Sequence, residues 1–410
     1  MSRLTSEKVH IIENDLDAIN AAYQVADFAL EGRNQRDQQR LLPFAEIDLF
    51  SQKGLGGMRI PKQYGGAFVA NKTLAHVFRI INKADSNVGQ IPQNQIALLN
   101  MIGIMGTEEQ KQFIYNEILK GKRLANGGPE RNTKDTKTLA TTLTIENGRY
   151  FVNGEKFYST GSSFAHWLAI KAIHPEGHVV LTIVNRNADG IEVIDNWNGF
   201  GQRTTSSGTV KLQHVEVDPL LIFDERLLGS QPSYRGAYSQ LMQVAIDVGI
   251  AEAAFADTLT AVHKARPIVD AQVEKASFEH YTLQEVGKSS VLLDAAILLL
   301  DEAAEYLDEL EQLELPFSIS PEVTTDTTHS IIKLRYASSV QYSPDLKVIF
   351  EQFEHPVHLY QSHIDSIQNH LVGSLIVAVA DLNLDTDLLQ QKLKQHIAQI
   401  EVIGYARPTH

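Results

Sequence analysis

The sequence contains no cysteine. That excludes disulfides, thiolate nucleophiles and every cysteine-ligated zinc or iron–sulfur centre. It also lacks an apolar run of the roughly 18 residues or more that a membrane-spanning helix requires, so no membrane partner is expected. Basic residues are the minority among charges, 36 Lys and Arg against 50 Asp and Glu, for a formal net charge of −14. Phosphate backbones are bound by basic faces, so nucleic acid is excluded as a main partner and the acidity reads as solubility. The opening stretch MSRLTSEKVHIIENDLDAINAAYQ carries acids where a secretory leader would carry an apolar core and a small-residue cleavage site, which points to the cytoplasm. No internal repeat or low-complexity tract appears.

What is present is a chain of 410 residues with 43% hydrophobic and 21% charged side chains. This is ordinary globular composition at a length where one core stops growing, so two or three subdomains are expected. Apolar residues recur at helical spacing from Ser6 to about Asn34 (Val9, Ile12, Leu16, Ile19, Ala22, Val25, Ala26), again from Thr73 to about Met101, and from Thr107 to about Leu119. Thr107 followed by Gln110 has the spacing of a capping box. The period then changes to two: TTLTIENGRYFVNGEKFYST alternates around Asn147-Gly148, a strong hairpin signal, and short strands follow at HWLAIKAI, HVVLTIVN, IEVIDNW and TVKLQHVEV. From Gln240 the helical period returns in two long segments, the second apolar over most of its girth between Val291 and Leu300, as in a helix buried in a bundle or an oligomer interface. The pattern predicts an α+β chain with an N-terminal α-helical domain (1–122), a central β-barrel or sandwich (123–232) and a C-terminal helical bundle (233–410).

Several segments occur in a telling order: IPKQYGGA, ADSNVGQIPQNQ, GTEEQK, LANGGPERN, NGEKFYSTGSSFAHW, DNWNGFGQRTTSSGTV and ARPIVDAQVEKAS. Any one would be weak. As an ordered set covering roughly Leu42 to Leu310, they resemble the acyl-CoA dehydrogenase superfamily, most closely its sulfur-acquisition oxidoreductases and dibenzothiophene-type monooxygenases. The resemblance implies the superfamily architecture with a central β-barrel, and a homotetramer. It also implies reduced FMN supplied by a partner flavin reductase, with FAD as the alternative, and oxygenation of a small organosulfur compound.

The resemblance also assigns residues. Asn126 and Thr160 would be catalytic, facing the flavin where oxygen reacts, with Gly127, Tyr158, Ser159 and Trp197 around the cofactor. Arg266 would reach the flavin phosphate, commonly in a neighbouring subunit, and Gln93 and Asn94 would line the substrate pocket, where relatives often place a histidine and this chain has Gln95. A flavin needs an apolar or aromatic wall and a few fixed polar groups. Taken alone, Tyr-Ser-Thr also reads as an exposed strand ladder, the paired glycines as a loop, Trp197 as a core residue, and Arg266 as a cation at a helix C-terminus. Arg131-Asn132 departs from the Gly-Ser of the dehydrogenases.

The last hundred residues lack the superfamily's closing Arg-rich, His-containing segment. In its place are His355, His358, His363 and His370, which read as a solvated helix face, with a flavin-site histidine and a metal site as lesser alternatives; no metal is assigned. Two rivals remain: an FAD-dependent acyl-CoA dehydrogenase, which needs a carboxylate base that cannot be assigned, and a cofactor-free scaffold with a diverged C-terminal site.

Overall fold

The computed structural model describes residues 8–131, 133–135, 138–229 and 235–312. The histidine-rich run and the closing part of the expected bundle lie outside the described residues.

The first helix is shorter than its periodicity suggests. α1 (Asp15–Leu30) begins where the Asn14 side chain accepts the Asp17 N–H at 3.0 Å. It gives way at Gly32, whose φ of +69° turns the chain into α2 (Arg33–Gln39). The cap, rather than the first apolar residue, sets the start. In the same way the run from Thr73 to Met101 divides into α4 (Asn71–Ala84), α5 (Ser86–Gln90) and α6 (Gln93–Met105), after α3 (Phe44–Gln52). Asp85 stops the first piece by capping the Asn87 and Val88 N–H groups, and Pro92 precedes the third. α7 (Glu108–Leu119) has the full capping box: Thr107 Oγ1 accepts from Gln110 N, and Gln110 Oε1 accepts from Thr107 N at 2.8 Å. The Gln110 amide also donates to the carbonyls of Leu220 and Ile222, fastening this helix to the sheet region.

The described residues form eight strands, β1 (Leu124–Gly127), β2 (Thr142–Glu146), β3 (Arg149–Lys156), β4 (Trp167–Ile173), β5 (Val179–Asn185), β6 (Ile191–Ile194), β7 (Thr209–Val217) and β8 (Ile222–Asp224). Asn147 and Gly148, both with positive φ, close the β2–β3 hairpin. The strands form one sheet in the order β6-β7-β3-β2-β4-β5-β8, with β1 paired to β4. The expected barrel is therefore corrected to an open sheet. It curls enough to bring β5 near β7, but its end strands β6 and β8 have four and three residues and are not paired with one another. Such short strands offer too few ladder positions to close a ring. β1 and β2 run along the same edge of β4, β1 beside residues 167–170 and β2 only at Ile173. The chain leaves the sheet between them, through Gly128 to Thr141, and that break opens the site.

Two long helices follow as expected, α8 (Arg235–Lys264) and α9 (His280–Gln312). α8 lies so close to α4 that a Cβ added at Gly249 would fall 2.4 Å from the Arg79 carbonyl oxygen, so glycine is required there. One apolar core joins α1, α3, α4, α8 and α9; a second lies between α6, α7 and the sheet, and a third lies within the curl of the sheet.

Candidate functional site

The site is built on β1, and β1 is held from both flanks. The Gln95 amide donates to Gly56 O at 3.0 Å while its oxygen accepts the Leu124 N–H at 3.0 Å, tying α6 to the strand. Buried Arg123 donates to Asp48 Oδ1 (2.9 Å), Ser51 Oγ (3.1 Å) and the Phe164 carbonyl (2.7 Å). Asn126 is thereby fixed opposite Ala169.

Beyond β1 the loop is locked to the end of β3. Lys156 Nζ donates to Glu130 Oε1 at 2.6 Å and to the Gly128 carbonyl at 3.3 Å, the ion pair being closed to water with side chains 0% and 2% exposed. Glu130 also accepts the N–H groups of Ala140 and Thr141. Burial alone would raise its carboxyl, but the Lys156 hydrogen bond and these N–H groups hold it below the usual range. Burial pushes the Lys156 ammonium down, opposed by Glu130. Phe157 N donates to the Pro129 carbonyl, so the two segments stay in register.

The next turn, Phe157 to Ser163, carries the exposed surface. Tyr158 adopts φ +57°, a conformation bulky side chains avoid, and leaves its ring 53% exposed. Its ring meets Phe157 (centroids 4.6 Å) and Trp197 (5.7 Å), and the Arg131 guanidinium stacks over the Phe157 ring. Gly161, with φ +83°, packs against Ala125 and Ile91, which brings the Thr160 and Asn126 segments together.

Behind Thr160 lies the hydroxyl-rich run Thr204 to Ser207, all 5% exposed or less. Thr160 Oγ1 is 2.8 Å from Ser207 Oγ, Ser207 Oγ is 2.8 Å from Thr205 Oγ1, and Thr205 donates to the Gln202 carbonyl at 3.0 Å. The same carbonyl accepts Trp197 Nε1 at 2.9 Å. Arg40 holds Asp195 at 2.9 Å, and Gln202 Nε2 donates to Gln90 Oε1, so the helical region braces this loop.

Asn126, Gly127, Tyr158, Ser159, Thr160 and Trp197 therefore lie on adjoining segments of one construction. The Ser159 hydroxyl is buried without a partner among the described residues. At Gly127 the space a Cβ would need is occupied by Ile170 Cδ1, the tip of a flexible side chain, at 2.3 Å. Gln93 is buried and Asn94 half-buried at the start of α6. Arg266 stands exposed just past the end of α8 and is not part of this construction within one chain. A cavity of about 300 Å³ beside α6, lined by Arg59, Tyr64, Phe68, Tyr115 and Tyr238 among others, includes none of the residues expected from sequence. One group among the described residues, His174, Glu176 and His178 on the β4–β5 turn, has three metal-capable side chains together, but His174 Nδ1 already accepts the Glu176 N–H at 3.2 Å. The Lys156–Glu130 pair and the roles of Gln202, Thr205 and Ser207 were missed from sequence; the four consecutive hydroxyl residues were the available signal.

Two outcomes follow from these contacts. Lys156→Met, which strands Glu130 in a dry site, should lower unfolding stability in urea by about 3–5 kcal/mol, and adding Glu130→Gln should recover much of the loss. Burial, aided by nearby Arg123, pushes His166 down to about 4 from an ordinary value of 6.5, its Nδ1 accepting the Arg123 N–H. The unfolded chain therefore gains a proton first: the stability from neutral His166 is complete above pH 6.5 and is lost as the pH falls toward 4. Urea midpoints should drop across that window, and His166→Gln should flatten the drop.

Residues 20–122 match the acyl-CoA dehydrogenase N-terminal domain and residues 241–330 the acyl-CoA dehydrogenase C-terminal domain. A dibenzothiophene monooxygenase from Rhodococcus qingshengii is 24% identical over 326 residues, covering 74% of this chain and 77% of that one. A probable FMNH2-dependent monooxygenase, SfnC, from Pseudomonas putida is 24% identical over 71% of this chain and 74% of its own length. The fold is that of FMN-bound TdsC from Paenibacillus sp. A11-2, with a TM-score of 0.73 at 24% identity over 79% of this chain and 84% of that one. A separate similarity, 55% over 101 residues, is to the methionine import ATP-binding protein MetN 1 of Acinetobacter baylyi; it takes in 25% of this chain and only 28% of that protein. Both domain matches lie in order on either side of the same sheet, in keeping with the resemblance to the acyl-CoA dehydrogenase superfamily.

Proposed function

We propose that the protein is a flavin-dependent monooxygenase that uses reduced FMN and oxygen to oxygenate a small organosulfur compound. The observation that carries this is the exposed Tyr158–Trp197 ledge beside Thr160 and Asn126, an aromatic face bordered by fixed polar groups. That combination fits a planar heterocycle with an apolar face and a polar edge, and the Ser159 hydroxyl, buried without a partner among the described residues, adds a further polar group at the same turn. Bound reduced FMN supplies the two electrons and the centre at which oxygen is activated.

The chain's own residues bind and orient. Thr160 and Asn126 contact the flavin edge, Tyr158 and Trp197 flank the ring, and Gln93 and Asn94 offer polar contacts toward the substrate. Arg266, exposed in one chain, serves the flavin phosphate of a neighbouring subunit in a homotetramer. A cytoplasmic flavin reductase supplies the reduced cofactor. Glu130 weighs against the dehydrogenase rival: its carboxylate is committed to Lys156 and two backbone N–H groups and is not available as a base.

The similarity to MetN 1 supports a second component of the reading. A segment shared with a methionine import protein, joined to a monooxygenase of organosulfur compounds, suits regulation by methionine. Calorimetric titration of the full chain with L-methionine should show saturable binding; absence of binding removes this component and leaves the monooxygenase reading intact.

The main test supplies reduced FMN, oxygen and dibenzothiophene as probe. Asn126→Ala and Thr160→Ala, with unchanged circular dichroism, should each lose about tenfold or more in oxygenation rate, as expected when a hydrogen bond worth roughly 1.4 kcal/mol or more is removed from the reacting complex. Full activity in both would overturn the site assignment.

A further inference from the structure

The hydroxyl chain behind Thr160 has a direction. A hydroxyl group owns one proton and can accept others. The Gln202 carbonyl can only accept, so Thr205 spends its proton there, at 3.0 Å. Thr205 Oγ1 can then only accept in its 2.8 Å contact with Ser207, which makes Ser207 the donor. Ser207 has no second proton, so in its 2.8 Å contact with Thr160 it accepts and Thr160 donates. The order of donation is Thr160 to Ser207 to Thr205 to Gln202.

The anchor is firm. The Gln202 carbonyl also receives Trp197 Nε1 at 2.9 Å, which occupies its second lone pair. Gln202 and Ser206 hold φ of +47° and +49°, a strained arrangement that persists only because surrounding contacts enforce it. Thr205 and Ser207 are 1% and 5% exposed, which leaves little room for water to reverse the chain.

We infer that Ser207 and Thr205 are positioning residues that oblige Thr160 to offer lone pairs, and no proton, to the cofactor face, and that this selects reduced over oxidised flavin. The inference rests on the flavin reading above, with Thr160 at the reducible edge of the ring. Reduced isoalloxazine carries an N–H at N5, which Thr160 can accept. Oxidised isoalloxazine carries at that position a nitrogen that can only accept, so two acceptors would face each other. An enzyme fed by a reductase gains from this asymmetry, because the arriving reduced form is held and the spent oxidised form is released.

The test is anaerobic titration of the full-length protein with FMN and with dithionite-reduced FMN, followed by absorbance and fluorescence. The wild-type protein should bind the reduced form more tightly. Ser207→Ala frees the Thr160 proton to turn outward, and Thr205→Val removes the fixed end of the chain; each should lower the reduced-to-oxidised affinity ratio by about tenfold, mainly by tightening oxidised FMN. Thr205→Ser keeps the donor and should retain the wild-type ratio, which separates hydroxyl direction from a packing effect. An unchanged ratio in both Ser207→Ala and Thr205→Val overturns the inference, as does equal wild-type affinity for the two forms, and either result leaves flavin binding standing. Wild-type protein that binds neither form overturns the flavin reading itself.

Discussion

A single ion pair, Lys156 to Glu130, joins the end of β3 to the loop that leaves β1. Everything proposed for the site depends on those two segments staying in register, because Asn126 precedes one and Thr160 follows the other. Water is excluded from the pair, so each charge is tolerable only in the presence of its partner. The hydrogen bonds around it, from the Phe157 N–H to the Pro129 carbonyl and from Lys156 Nζ to the Gly128 carbonyl, would not survive a loop that wandered. Once the loop is fixed, the turn at Tyr158 can bear its left-handed strain and present an aromatic ring to solvent.

The rest of the molecule serves that junction. An open sheet leaves a break along β4 where the loop can emerge, which a fully paired edge would not. Helices then cover the break from one side: Gln95 and Arg123 connect α6 and α3 to β1, and Arg40 and Gln90 reach the loop that holds Trp197 and Gln202. These are polar links of long sequence separation crossing between helix and sheet. They make the site a product of the whole assembly rather than of the strands alone.

Much of the fold was legible from local signals. The hairpin at Asn147-Gly148, the capping box at Thr107 and the two long C-terminal helices are each specified by residues close in sequence, and each formed as read. Boundaries were less legible. The periodicity from Ser6 to Asn34 continued past the points where Asn14 caps and Gly32 turns, and the run from Thr73 to Met101 concealed the break that Asp85 makes. Short strands β1 and β8 exist because longer neighbours pair with them, so composition could not announce them. The expected barrel opened for the same reason, since closure depends on the lengths of edge strands that are themselves set by their partners.

By itself, then, the sequence determined the alternation of helix, sheet and helix, the exclusion of thiol chemistry, and the cluster of aromatic and hydroxyl residues that resembles a flavin site. These follow from residue type and spacing, which act over a few positions. Only the tertiary structure decided which acids and bases are paired, that Ile170 packs against Gly127, and that Thr160 stands at the donating end of a hydroxyl chain. Each of those depends on atoms brought together from 26 to 47 residues apart or more, and on burial that removes water as an alternative partner.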